Sequence, residues 1–508
     1  MANTNHNIQH IIAIVRVLSS PEKRMAGRYL KLFEGNYKDS SSTLVNQSTN
    51  RSHKFISFLF FQSICKQLIY SDSSIIVDNL SKQYSKNQIR NLGNRVLKKL
   101  HDFLVFELTI KRSTTESRHV VQQYIQRNIS LLEFLLVRRI FQHFDELSDK
   151  LISLAVKNEL YNEICIIYRL KLSYLVNKIS IKEFNKRVTH LENFQYLADE
   201  VNKINLFVYS IQIRTIRKVS DLELKNYIEN KLTYFKKVDK TIESDTWKLA
   251  YFTILLEYSH QIENYDESNK ICYSQILIFN RSKFLSTKAR LGSTYLQISN
   301  NYLLQQKYEE SINANDQAIR YYRHGFLNYV NACEVKFFAL FYLNEFDKAQ
   351  ELISHILQFK SVKENLLYYS RWEFFHTAIL YATGDIKKAY LNYNKSTFLY
   401  EDKEGWGVGL RIFYIMIEIE RGMYDKIDYE LDALRKQIHK MKNSISPRFI
   451  LIARLLSNFS KYDFDFNSFD ISTNVIFNKL RQNSNYKWQI KTPEIIEFTN
   501  WILKIRNT

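Results

Sequence analysis

The chain is short of the residues that break helices: 508 residues contain only 3 prolines and 10 glycines. Proline inside a helix removes a hydrogen bond and clashes with the preceding turn, and glycine there costs about 1 kcal/mol relative to alanine. An all-β chain of this length needs turn residues far more often. The scarcity of both therefore argues against sandwiches and barrels and predicts an all-α fold. Cysteine is scarce too. Cys65, Cys165, Cys272 and Cys333 are widely spaced in apolar surroundings, which suits reduced core thiols rather than a disulfide or metal framework. Long apolar runs are also lacking. Ile11–Val15 is too short for a membrane span, and no small-residue cleavage site follows it. The expectation is a cytoplasmic protein with no membrane span.

Motifs that carry chemistry are equally sparse. "GWGVG" (Gly405–Gly409) has glycines spaced faintly like a phosphate loop, but no strand precedes it and no Lys-Ser/Thr follows. It reads as a loop between helical pairs. No His or Cys pair stands at zinc-ligand spacing. His260, His355 and His376 lie in apolar helical stretches and read as packing residues. Glu309–Glu310 and the pair Glu418 and Glu420 read as solvated faces. No catalytic residue, cofactor site or metal ligand is assigned from the sequence.

What is present is the composition of a folded protein, 45% hydrophobic and 24% charged, with 34 Tyr and 34 Phe to fill the interior. The chain is too long for one ordinary core unless the architecture is extended. Its formal charge of +20 is uneven: Met1 to Arg112 holds 17 Lys/Arg against 7 Asp/Glu. A basic end suits nucleic acid, an anionic membrane surface or an acidic protein, and it also arises from the lysine-rich solvent faces of any large helical protein.

Residues 1–113 form this basic helical region. A helix is expected over Ile8–Leu18, and another starts at Ser20 as N-cap with Pro21 at its first position and Gly35 as terminator. The polar stretch Asn36–Ser52 reads as a flexible loop. Further helices are expected over Lys54–Leu68, Ser74–Gln83 and Asn87–Ile110. In the last, Ile89, Leu92, Val96, Leu100, Phe103 and Leu104 recur at three- and four-residue steps. Arg90, Arg95, Lys98 and Lys99 fall among the rest, giving an outer face that could meet phosphates. Residues 114–248 continue the helical pattern without a clear repeat, although Asn158–Leu175 reads as a degenerate hairpin.

From 249 to 438 a repeat emerges. Tyr295, Ile298, Ser299 and Tyr302 precede a turn, and Tyr308, Ser311 and Ala318 follow it. After the next turns come Phe346 with Ala349, Ile353 and Ile356, then Ile386 with Ala389 and Tyr393, then Tyr424 with Ile427 and Leu431. Upstream, Tyr265 and Ser268 give a weaker unit. The post-turn positions 265, 308, 346, 386 and 424 are 43, 38, 40 and 38 residues apart. This pattern resembles the tetratricopeptide repeat, a pair of antiparallel helices of 34 residues, in which a small residue lets the helices approach and an aromatic wedges beside the turn. The departures are the longer period, Asn315 at a usually apolar position, and the absence of a closing proline. The whole chain is also loosely similar to a group of bacterial cytosolic helical-repeat proteins, a likeness that brings no function with it.

The resemblance implies stacked antiparallel hairpins, since no such pair buries its own apolar face. Residues 439–508 are then expected to cap the array, with Ile495, Phe498, Trp501 and Ile502 covering the last pair. It also implies a groove lined by the first helix of each pair, taking a protein or peptide. By the family's spacing the groove receives Leu296, Asn300 and Leu303, then Glu334 and Phe338, then Arg371, Phe374 and Ala378. Phe338 and Phe374 would be its aromatic anchors, between Glu334 and Arg371. A variant of the family clamps a C-terminal carboxylate with Lys and Asn. Asn300 stands at one clamp position, but Leu296 occupies the place of the Lys, which disfavours that mode. The leading expectation is a non-enzymatic scaffold or adaptor. Two alternatives stay open: a regulator whose basic N-terminal region binds nucleic acid while the repeats sense a partner, and an enzyme whose site is not legible in sequence.

Overall fold

The computed structural model describes residues 2–32, 55–67, 76, 79–82, 84–104, 118–217, 219–441, 445–464, 473–483 and 486–506. The regular structure among the described residues is all helical, with no strand. The expected loop Asn36–Ser52, the terminator Gly35 and half of the expected helix Ser74–Gln83 lie outside them. The chain divides into two compact units, residues 1–198 and 199–508.

In the first unit, α1 (Ala2–Val17), α2 (Ser20–Leu32), α3 (Ile56–Gln67) and α4 (Lys86–Asp102) surround one core. The cap of α2 is one residue earlier than the sequence suggests. Ser19, not Ser20, closes a capping box: Glu22 N–H donates to Ser19 Oγ, and Glu22 accepts from the Ser19 backbone N–H at 2.7 Å. Ser85 and Gln88 do the same for α4. Helix α4 is amphipathic as its spacing predicts. Ile89, Leu92, Val96, Leu100 and Phe103 are buried, while Arg90, Arg95 and Lys98 are exposed and Lys99 is half-buried. Three further helices follow in this unit, α5 (Arg118–Val137), α6 (Phe141–Lys157) and α7 (Tyr161–Leu175). They pack on one another, and the long α8 (Ile181–Ile216) crosses from this unit into the next.

The second unit continues with α9 (Asp221–Asp239), whose N-cap is Ser220. Five consecutive helical pairs then run along it. They are α10 (Asp245–Gln261) with α11 (Tyr265–Arg281), α12 (Lys288–Leu304) with α13 (Tyr308–Tyr321), and α14 (Leu327–Tyr342) with α15 (Phe346–Ile356). After these come α16 (Leu366–Ala382) with α17 (Ile386–Tyr393), and α18 (Trp406–Glu420) with α19 (Ile427–Lys440). Then follow α20 (Pro447–Ser460), α21 (Val475–Gln482) and α22 (Phe498–Arg506). One continuous core extends from Leu303 to Ile502.

Every pair turns the same way. The backbone enters the left-handed region at Glu263, Gln306, Asn344, Gly384 and Gly422, with φ between 51° and 84° across this set and its two relatives Arg139 and Glu159. At each, the left-handed residue's N–H donates to the carbonyl three residues back. The next N–H donates to the carbonyl four residues before the left-handed residue, as in Gln306 to Leu303 and Lys307 to Tyr302. This is the Schellman closure of a helix. The recurring aromatic or aliphatic residue of the sequence pattern stands two places after it each time. The turns before Phe141 and Tyr161 are identical, so the turn geometry reaches back into the region whose sequence shows no clear repeat.

The small residues sit where the helices meet. Ser268, Ser311, Ala349 and Ala389 are each fully buried, and Ile427 takes the equivalent place in the last pair. Ser299 and Ser311 exchange hydroxyl-to-carbonyl bonds of 2.8 Å across their pair. Asn315, the departure from the family pattern, donates to the Ala332 carbonyl of the next pair at 2.9 Å. A polar residue is kept there because it ties one pair to the next.

Left-handed backbone costs an L-residue roughly 1–2 kcal/mol that glycine does not pay. Gln306→Gly is therefore expected to raise the unfolding free energy by about 1 kcal/mol, after the loss of unfolded-state restriction is offset. Gly384→Ala, with nothing within 4 Å of the added Cβ, should lower it by about the same amount. Urea denaturation of the two variants checks both signs, and a fall for Gln306→Gly would contradict the turn assignment.

Candidate functional site: the inner face of the helical pairs

The expected groove is not open. The chain's own C-terminal segment, residues 486–506, lies across the first helices of the pairs. Its contacts alternate between side chain and main chain. Lys491 donates its ammonium to Asn300 Oδ1 on α12 at 3.1 Å. Tyr342 on α14 donates its hydroxyl to the Ile495 carbonyl at 2.9 Å, and its ring meets the Trp488 ring edge-on at 5.6 Å. The Trp501 indole N–H donates to Glu420 on α18 at 2.7 Å. The Tyr381 hydroxyl of α16 also donates to Glu420.

The expected cap residues Ile495, Phe498, Trp501 and Ile502 are buried in the core of the later pairs, and the segment that carries them also reaches α14 and α12. The anchor of the segment is Arg448 on α20. Its guanidinium grips Glu494 with two bonds of 2.5 and 2.7 Å and donates to the Leu480 and Tyr486 carbonyls. Glu494 in turn accepts the Phe498 N–H at 2.9 Å and so holds the start of α22.

The glycines of "GWGVG" now have a reason. They are not a loop: Gly405 is left-handed at φ 105° and caps α18, whose first turn holds the other two. A Cβ on Gly409 would lie 2.5 Å from Pro493 Cβ and 2.7 Å from its carbonyl carbon. A Cβ on Gly407 would lie 2.9 Å from Tyr400 Cα. Close backbone approach on both sides of one helix requires them, and on one side the approaching chain is the C-terminal segment.

The groove residues expected from the sequence divide into two groups. Asn300 bonds Lys491, and the charges of Glu334 and Arg371 act on it. Arg371 pairs with Glu334 at 3.5 Å and with Glu404 at 3.1 Å, and its guanidinium lies 4.4 Å from the centre of the Trp406 ring. Burial holds the Lys491 amine below its ordinary pKa, Glu334 opposes that shift, and the Arg371 charge adds to it. Phe338 and Phe374 belong to the second group. They are 0% and 1% exposed, Phe338 against Phe375 and Phe374 against Phe413. As placed, they are packing residues and offer no surface to a ligand. Leu303 and Ala378 are buried likewise. Sequence reasoning missed Tyr342, Glu420 and Lys491. The signal available was two glycines within the first turn of a helix, in a chain with so few.

Other sequence assignments resolve individually. Glu418 is not solvated: it is buried, accepting from Tyr414 at 2.6 Å and from Arg421 at 2.9 Å. The three histidines singled out in the sequence are engaged: His355 with His324 at 3.0 Å, His376 with Gln350 at 3.1 Å, and His260 with Gln297 and Ser268. Burial pushes the thiols of Cys272 and Cys333 up to about 12, and all four cysteines stand as thiols. Among the described residues no group of three or more His, Cys, Asp or Glu could hold a metal ion, and no helix is long and apolar enough to cross a membrane.

Burial holds the His260 imidazole below its ordinary value of 6.5, against the opposing pull of Glu257 and of an Asn301 hydrogen bond. The unfolded chain therefore takes up this proton at higher pH than the folded one. The stability from a neutral His260 is complete above about pH 6.5 and is lost as the pH falls through the window below it. Thermal melts between about pH 7 and 5 should show a shallower decline for His260→Gln than for wild type. Parallel curves would mean that His260 is not desolvated.

No family model matches the chain, and no curated protein sequence matches it. Two solved structures are similar at low identity. One is a Rap protein complexed with competence and sporulation factor, at 14% identity and a TM-score of 0.42, over 72% of this chain and 88% of that one. The other is a signal transduction ATPase with numerous domains from Pyrococcus horikoshii, which carries a tetratricopeptide repeat sensor. It matches at 15% identity and a TM-score of 0.43, over 89% of this chain and 66% of that one.

Proposed function

The chain is an all-α array of tetratricopeptide-like helical pairs, and we propose that it is a non-enzymatic binding protein. Its ligand is an extended protein or peptide segment, held on the first helices around Asn300, Glu334 and Arg371. The observation that carries this reading is the segment already there. Tyr342 bonds a main-chain carbonyl, Asn300 takes a lysine side chain, and Gly409 lets backbone approach a helix directly. Recognition of an extended segment uses main-chain bonds for affinity and side-chain positions for specificity.

Selection from a random 12-residue peptide library displayed on phage, against the immobilised full chain, tests it. Enriched peptides should lose at least tenfold in affinity to Asn300→Ala and to Glu334→Gln. Enrichment indifferent to both substitutions would place binding elsewhere and overturn the reading.

A further inference from the structure

We propose that residues 487–493 are an exchangeable finger, a built-in competitor that withdraws when a partner segment presents a lysine or arginine to Asn300 and Glu334. This rests on the groove reading above and specifies the chemistry of its ligand.

The finger differs from its own base. At the base, Glu494 and Ile495 are buried and Arg448 holds the carboxylate with two bonds. Between Tyr486, whose carbonyl Arg448 holds, and Glu494, only Ile490 is buried: Trp488, Lys491, Thr492 and Pro493 are half-buried, and Lys487 and Gln489 are exposed. Residues 487–489 form no helix, and Lys491 is held in the left-handed region at φ 62°. That conformation is unfavourable for a residue with a Cβ, so withdrawal of the tip relieves it. Arg448 can keep Tyr486 and Glu494 in place while the residues between them move.

The notch left behind has a defined preference. Asn300 Oδ1 is an acceptor, Glu334 is anionic, and Arg371 satisfies only one side of that carboxylate. A cation with several donors fits Asn300 and Glu334 together. An incoming acidic side chain would meet Glu334 as a like charge. Tyr342, once freed of the finger's own Trp488, offers a ring face to an aromatic residue beside that cation.

The test uses the full chain and a fluorescein-labelled peptide of residues 486–497, followed by anisotropy. Lys491→Ala should bind the peptide at least tenfold more tightly than wild type, because its own tip no longer competes. Lys491→Gln should rank between them. Adding Glu334→Gln to Lys491→Ala should remove the gain, and so should replacing the peptide's lysine by glutamate. Equal binding by wild type and both Lys491 variants, or binding by none, would overturn the exchange. Phage-selected peptides that still depend on Asn300 and Glu334 would then leave the groove reading standing. Loss of those as well would remove both.

Discussion

Arg448→Ala is expected to lower the unfolding free energy by about 3–5 kcal/mol, the largest single-site effect in the second unit. Removing one member of a buried ion pair leaves the other charge in a low-dielectric interior with no partner. Here the orphan is Glu494, itself 5% exposed, and the Leu480 and Tyr486 carbonyls lose their donor at the same time. Much of that cost should return in Arg448→Met combined with Glu494→Met, since an apolar pair of similar volume avoids the desolvation of both ions. A double-mutant cycle by urea denaturation measures the coupling. Independent, additive losses would mean that the two side chains do not form the pair.

Gly409→Ala is expected to be far worse than Gly384→Ala, although both replace a glycine with the same residue. At Gly384 the penalty is backbone conformation alone. At Gly409 the added methyl meets Pro493 backbone, which cannot rotate away as a flexible side chain would. Overpacking of this kind costs about 1–3 kcal/mol and more where backbone must shift. The segment should lift, so intrinsic fluorescence from Trp488 and Trp501 should move to longer wavelength and limited proteolysis should cut early near residue 493. A Gly409→Ala protein with wild-type melting and emission would show that the segment does not rest on α18.

How much of this was legible can be judged residue by residue. The all-α class followed from the missing glycine and proline, and the register of five pairs followed from one aromatic or aliphatic residue recurring after each turn. The turns themselves were half visible: glycine marks two of them, at Gly384 and Gly422, while Glu263, Gln306 and Asn344 adopt the same backbone without announcing it. Helix-end hydrogen bonds impose that geometry on residues that only tolerate it. The groove was partly legible because helical spacing puts Asn300, Glu334 and Arg371 on related faces. Spacing alone could not say that Phe338 and Phe374 point between helices, since an inward stripe and a groove stripe share one period. Nor could it pair Lys491 with Asn300, which lies 191 residues earlier. Local patterns carry no information about a contact of that reach.

That contact has a consequence for how the protein can change over evolutionary time. An open array of helical pairs tolerates the gain or loss of a unit, because each pair answers only to its neighbours. Here the tail returns across the pairs and ties Lys491 to α12, Trp501 to α18 and Ile495 to α14 at once. Duplicating or deleting one pair between α12 and α18 would carry Asn300 a full helical pair out of reach, and three fixings would fail together. The returning tail works as a ruler that holds the number of pairs constant, even where the residues within each pair drift.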